Sequence, residues 1–253
     1  MRLLCFHGGA TNSEHFKKVI YHLRQNLEAD GAASFHFVDG LIPTPPSINV
    51  EYQCPPPTLR FFAFNEPDGV RDIETSAKKI GLGASTANSP EDAMRIGEAQ
   101  MVLEIQDTVE IFLDYVSNIM EEEGPFDGVI GASEGAGAAA TVLLYDQEVC
   151  REKGTESKLK CGIFFVGFPP FNRDATFHLA DRSKVRIEAP TCHIIGQKDP
   201  LAKISEALWN VCDERTRVLV DHEQGHIIPH EPQIMARIAD FVRKVGRDEA
   251  NLA

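Results

Sequence analysis

The chain has 253 residues with 38 acidic and 25 basic side chains, a formal net charge of −13 that argues against nucleic acid or an anionic membrane as partner. Its six cysteines include no C-x-x-C pair, which is reduced-thiol usage rather than a disulfide framework. No apolar run approaches the ~20 residues of a membrane span, and Met1–Phe6 is too short for a signal-peptide core; a cytoplasmic location and a single domain over residues 1–253 are expected.

Leu3–Phe6 is apolar and predicts a first strand, which runs directly into His7-Gly8-Gly9-Ala10. Asn12 or Ser13 can cap a helix to about Leu27, with Phe16, Val19, Ile20, Leu23 and Leu27 on one face. Phe35–Val38 predicts a second strand. Leu41–Pro90 then breaks the rhythm with Pro43-Thr44-Pro45-Pro46, Pro55-Pro56-Pro57 and the aromatics Phe61, Phe62 and Phe64. So long an irregular connection predicts a lid or pocket-forming insertion around residues 41–93. A helix is expected from about Met94 to Met120, carrying Met101, Ile105, Val109, Phe112, Val116 and Ile119 at spacings of three and four. Further strands are expected at Val129–Ala132, Cys161–Val166, Thr191–Ile195 and Arg217–Val220, and a last helix at about Pro232–Lys244. A second irregular stretch, Gly167–Ala189, holds Phe168-Pro169-Pro170-Phe171. Apolar strands alternating with amphipathic helices predict an α/β fold with a mainly parallel sheet of about six strands, covered on both faces. Both irregular stretches follow strands and so belong at the carboxyl edge, where such sheets bind ligands.

Gly131-Ala132-Ser133-Glu134-Gly135 lies between the expected third strand and the small-residue helix that begins near Ala136. G-x-S-x-G in that context is a nucleophile elbow, a sharp turn that exposes a serine hydroxyl. Gly83-Ala84-Ser85-Thr86-Ala87 lacks the closing glycine. A serine needs a base to take its proton and donors to hold the resulting oxyanion. Asp199, just past the fifth strand, and His226, on the loop after the sixth, follow Ser133 in the order this fold uses. Asp199 also suits a helix N-cap with Pro200 at the first helical position, while Asp174, Asp181 and Asp221 are weaker acids by position. Gly225 would let the backbone bend to aim His226 at the serine. The oxyanion donors expected are the backbone N–H groups of Glu134 and Gly9, with Ala10 in reserve. The Glu134 side chain reads as a solvated carboxylate at a helix start, and His7 as a prop for its loop. Ala10, Phe168 and Ile227 are candidate substrate contacts.

His222-Glu223-Gln224-Gly225-His226 also matches H-E-x-x-H, but that zinc motif needs a helix. The residues before it read as a strand, and Gly225, Pro229 and Pro232 oppose a helix. No metal or other cofactor is expected.

Phe6-His7-Gly8-Gly9-Ala10-Thr11-Asn12-Ser13, Gly131–Gly135, Gly196-Gln197-Lys198-Asp199 and Gly225-His226-Ile227-Ile228-Pro229 together resemble the fungal serine hydrolase family, a branch of the α/β-hydrolases. Phe37-Val38-Asp39-Gly40 and the proline-rich run after it resemble the same family. The resemblance spans nearly the whole chain. It implies an α/β-hydrolase fold that lacks the usual first antiparallel strands, with Ser133 as nucleophile, Asp199 as orienting acid and His226 as general base. Departures are Ala132, where members often carry a bulkier residue, Glu134, where Gln is frequent, and Gln224, where many have glycine. The resemblance also implies a substrate: an acyl thioester, with a polyketide or fatty acyl chain presented by an acyl carrier protein of secondary metabolism. A carboxylesterase for small-molecule esters is the alternative use of the same residues, and a non-catalytic ligand-binding protein of this fold is the contrasting class.

Overall fold

A computed structural model describes residues 1–45, 54–65, 81, 83–99, 102–103 and 107–250. Six strands, β1 (Arg2–Phe6), β2 (Ser34–Val38), β7 (Gly128–Ala132), β8 (Cys161–Phe165), β9 (Thr191–Gly196) and β10 (Val218–His222), form one sheet in the order β10-β9-β8-β7-β1-β2. Every pairing in it is parallel. Side chains alternate between its faces. Leu4, Phe6 and Val129 enter one core with α3 (Pro90–Glu98), α4 (Thr108–Glu123), α5 (Glu134–Lys153) and α6 (Ala202–Asn210). Leu3, Cys5, Ile130 and Ala132 enter the other, with Phe16 of α1 (Ser13–Val19), Leu23 and Leu27 of α2 (Tyr21–Glu28) and Ile238 and Val242 of α7 (Pro232–Ala250). The two-sided cover explains why β7 and β8 are apolar throughout, since all their residues are buried. Among the described residues no helix is long and apolar enough to cross a membrane.

The first expected helix is two. Ile20 leaves the helical region at φ −95°, ψ 19° and divides α1 from α2. Asn12 is the N-cap, accepting the His15 N–H at 2.8 Å. The helix expected from Met94 to Met120 is also divided. α3 starts at a Ser89 cap with Pro90 in its first turn and ends at Glu98, and α4 begins only at Thr108. Between them Val102–Leu103 (β6) pairs antiparallel with Phe64–Asn65 (β5). Met101 and Ile105 lie outside the described residues. Apolar spacings of three and four on either side of a break had the same period, so periodicity alone joined them. The last helix runs past Lys244 to Ala250.

The stretch after β2 is less irregular than its prolines suggest. Ile42–Pro43 (β3) pairs with Leu59–Arg60 (β4). The Leu59 N–H donates to the Thr11 carbonyl at 2.8 Å, and Asn12 Nδ2 donates to the carbonyls of Pro55 and Pro57 at 2.9 and 2.8 Å. Phe61 and Phe62 are core residues. Phe62 packs on Phe112 and Phe171 with centroids 4.9 and 4.7 Å apart, and Phe61 on Phe6 at 5.5 Å. The return leg at 54–65 is therefore a wall fastened to the loop after β1; residues 46–53, 66–80 and 82 of the insertion lie outside the described residues. Asn12→Ala removes a cap and two carbonyl partners at once. Urea denaturation is expected to find it less stable by about 2 kcal/mol, and an unchanged midpoint would contradict these contacts.

Candidate active site

Ser133 sits at the carboxyl end of β7, an interior strand. Its φ is 52° with ψ −117°, a conformation that costs a non-glycine residue about 1–3 kcal/mol. The surroundings hold it there. Its N–H donates to the Phe165 carbonyl at 2.8 Å. Both motif glycines are required by close approach: a Cβ on Gly131 would enter the Gly135 carbonyl, and one on Gly135 would enter the carbonyls of Phe6 and His7. The β7–α5 turn can be this tight only without side chains at those two positions.

Parallel backbone hydrogen bonds carry the two downstream residues to the serine. Past the ends of β9 and β10, Gln197 N–H donates to the His222 carbonyl at 2.7 Å and Lys198 N–H to that of Gln224 at 3.0 Å. These bonds hold the Asp199 turn beside the His226 loop. The close approach is made possible by Gly196, where a Cβ would press on the carbonyls of Gly225 and Gln224. Gly225 has room for a Cβ and no positive φ, so the expected role for its flexibility is not what aims the histidine.

His226 Nε2 lies 3.1 Å from Ser133 Oγ and its Nδ1 lies 2.8 Å from Asp199 Oδ2. An ionised carboxylate only accepts, so Nδ1 carries the proton and Nε2 is left to accept from the hydroxyl. The Asp199 carboxylate has 0% of its surface exposed, while the His226 side chain keeps 30%. Its other oxygen accepts the Leu201 N–H at 2.7 Å. Asp199 is not the N-cap of α6, since the cap position is Leu201; the carboxylate instead bridges the turn before that helix. The weaker acid candidates are engaged elsewhere: Asp174 with Thr176, Asp181 with Arg95, and Asp221 with Gln197.

Nothing brings the H-E-x-x-H residues onto one helical face. His222 ends β10, residues 223–227 are bends, and His226 is occupied by Ser133 and Asp199. Burial holds the His222 imidazole below its ordinary pKa. Among the described residues no cluster of three His, Cys, Asp or Glu side chains could hold a metal ion.

The loop after β1 lies over the serine. His7 props it as expected: Nε2 accepts the Gly40 N–H at 2.9 Å, so Nδ1 donates to the Gly8 carbonyl at 2.7 Å. Thr11 Oγ1 donates to the same carbonyl at 2.6 Å, and burial keeps the His7 pKa low. A Cβ on Gly8 would lie 3.8 Å from the Ser133 Cβ, and one on Gly9 would press on the Glu134 carboxylate. Ala10 is buried with φ 54°. Phe168 packs on Gly137, one turn along α5, and meets Phe171 and Phe177 edge-on at 5.9 and 5.6 Å. Ile227 is 44% exposed beside His226.

The Glu134 side chain departs from expectation. It is not solvated. Only 7% of it is exposed, Oε1 accepts the N–H groups of Phe61 at 2.7 Å and Phe62 at 3.2 Å, and Oε2 faces Arg60 Nε at 3.7 Å. These partners are brought in by the return leg of the insertion, which covers the helix start and excludes water from it. Arg60, Phe61 and Phe62 were not readable as site neighbours, being 72 or more residues away from Glu134 in sequence with no motif linking them.

The serine hydrolase (FSH1) family model matches residues 1–238. The chain belongs to that family. Among relatives of this family member, Esterase FPY3 of Fusarium mangiferae is 30% identical over 256 residues, covering 98% of this chain and 96% of that protein. Esterase FUS5 of Gibberella moniliformis is 30% identical over 252 residues, covering 97% of this chain and 87% of that protein. Of solved structures, SOBER1 of Arabidopsis thaliana superposes with a TM-score of 0.53 at 12% identity, covering 97% and 98% of the two chains. Acyl-protein thioesterase 2 of Zea mays gives 0.53 at 15% identity, covering 97% and 93%. Those two likenesses are of fold, and the fold is that of the α/β-hydrolases. The family makes this chain a serine hydrolase.

Proposed function

We propose that the chain hydrolyses an acyl thioester through an acyl-serine intermediate, releasing a polyketide or fatty acyl chain from a carrier protein. Ser133 Oγ attacks the acyl carbonyl while His226 Nε2 takes its proton, and Asp199 stabilises the imidazolium. The backbone N–H groups of Glu134 and Gly9, with Ala10 as the alternative second donor, hold the oxyanion. The proton on His226 passes to the leaving thiolate. Water deprotonated by His226 then attacks the acyl-serine, and Ser133 is regenerated as the acid departs. The observation that carries the reading is the relay from Ser133 Oγ through the imidazole to a fully buried carboxylate. Phe168, Ala10 and Ile227 are proposed to line the acyl site.

A second reading, a carboxylesterase acting on small-molecule esters, uses the same residues and is favoured by the name esterase given to two relatives. Matched acyl-thioester and acyl-oxyester substrates separate the two. The expected result is a higher kcat/KM for the thioester; a clear oxyester preference would replace the first reading with the second.

A further inference from the structure

The buried carboxylate of Glu134 joins three parts of the site. It extends from the residue that follows Ser133, it accepts two N–H groups from the return leg of the insertion, and its Oε2 would meet a Cβ on Gly9 at 2.5 Å. A negative charge in that position raises a physical problem. The oxyanion would form at the backbone N–H of this same residue, and two negative charges a few ångströms apart repel strongly where water is excluded. Arg60, itself 12% exposed at the side chain, supplies the opposing charge.

We propose that Glu134 and Arg60 are positioning residues: a charge-neutral latch that fixes the Gly8–Gly9 loop and the 59–64 wall against Ser133 without opposing the oxyanion. The proposal rests on the acyl-serine reading above. Its consequence is a division of labour within one residue, with the Glu134 backbone facing the reaction and its side chain fastening the surroundings. Burial raises the Glu134 pKa, while Arg60 and the Phe61 and Phe62 N–H groups pull it back. Among the described residues, other ionisable groups nearby include His7, whose ring lies on Phe61 at 4.6 Å and whose pKa burial lowers, and the His226–Asp199 pair at Ser133.

The test uses the full chain, p-nitrophenyl butyrate as substrate, and the variants Arg60→Gln, Arg60→Lys and Arg60→Gln with Glu134→Gln. Arg60→Gln leaves the carboxylate uncompensated, so kcat is expected to fall about 10- to 100-fold with a smaller change in KM. The deficit should shrink as pH is lowered, because Glu134 without its cation protonates more readily and the repulsion vanishes. Adding Glu134→Gln keeps an acceptor for Phe61 and Phe62 and removes the charge, so the double variant should recover most of kcat and lose that pH dependence. Arg60→Lys keeps the charge and should stay closer to the wild type than Arg60→Gln.

A merely structural role would lower melting temperature in all three without this pattern. Equal kcat in Arg60→Gln and Arg60→Lys, or a double variant no better than Arg60→Gln, would overturn the latch. Ser133→Ala in the same assay keeps the two failures apart. If it retains turnover the acyl-serine reading fails; if it is inactive while the double variant shows no recovery, only the latch fails.

Discussion

Replacing His226 by Ala is expected to lower kcat by about 10⁴- to 10⁶-fold while leaving the fold intact. The side chain is 30% exposed, so its removal opens little buried space. The loop that carries it is held by backbone bonds from Gln197 and Lys198 to the carbonyls of His222 and Gln224, none of which needs the imidazole. What is lost is the acceptor 3.1 Å from Ser133 Oγ. Asp199→Asn should be nearly as damaging, by about 10⁴-fold, because an amide can donate to Nδ1 and reverse the tautomer. Single-turnover kinetics with near-ultraviolet circular dichroism as a check of folding would measure both. Retained activity in His226→Ala would put the base elsewhere, and His222 would be the next position to replace.

Gly135→Ala is expected to damage both the fold and the site. Its Cβ would enter the carbonyl oxygens of Phe6 and His7, backbone atoms at the carboxyl end of β1 that cannot rotate away as a side chain could. Either α5 must shift outward or the loop after β1 must move, and both disturb the spacing between Ser133 and Gly9. A loss of about 3 kcal/mol in denaturant unfolding, together with most of the turnover, is expected. Gly154→Ala is the control. Gly154 ends α5 at φ 64° with nothing within 4 Å of a Cβ, so only the left-handed backbone is penalised, by about 1 kcal/mol, and turnover should be unchanged. Similar stabilities for the two variants would mean that the elbow is looser than its geometry.

What could be read from the sequence and what could not divides along sequence separation. Gly131–Gly135 was legible because its constraint is local: five residues must turn from a strand into a helix, and glycines mark where the backbone comes close. Asp199 and His226 were legible because each follows a recognisable strand by a short turn, and parallel strands deliver their carboxyl ends to one edge. Glu134 was misread because its environment is made by Arg60, Phe61 and Phe62, which a two-residue strand, β4, brings across the molecule. The prolines of the insertion, expected to form a lid or a pocket wall, gave no sign of the fixed partners that the Thr11 carbonyl and the Asn12 amide provide for its return leg. Ile20 and the 99–107 break failed for a different reason. Apolar residues kept their helical spacing across both, so the period alone marked neither break.

The acyl-serine chemistry depends most on Ser133 being an activated nucleophile, and a fluorophosphonate probe tests that directly. Incubating the folded chain with the probe and mapping the adduct by peptide mass spectrometry should locate it on Ser133 alone, with labelling lost in His226→Ala and after unfolding. A folded, probe-treated protein with no adduct on Ser133, or with the adduct on another residue, would contradict it.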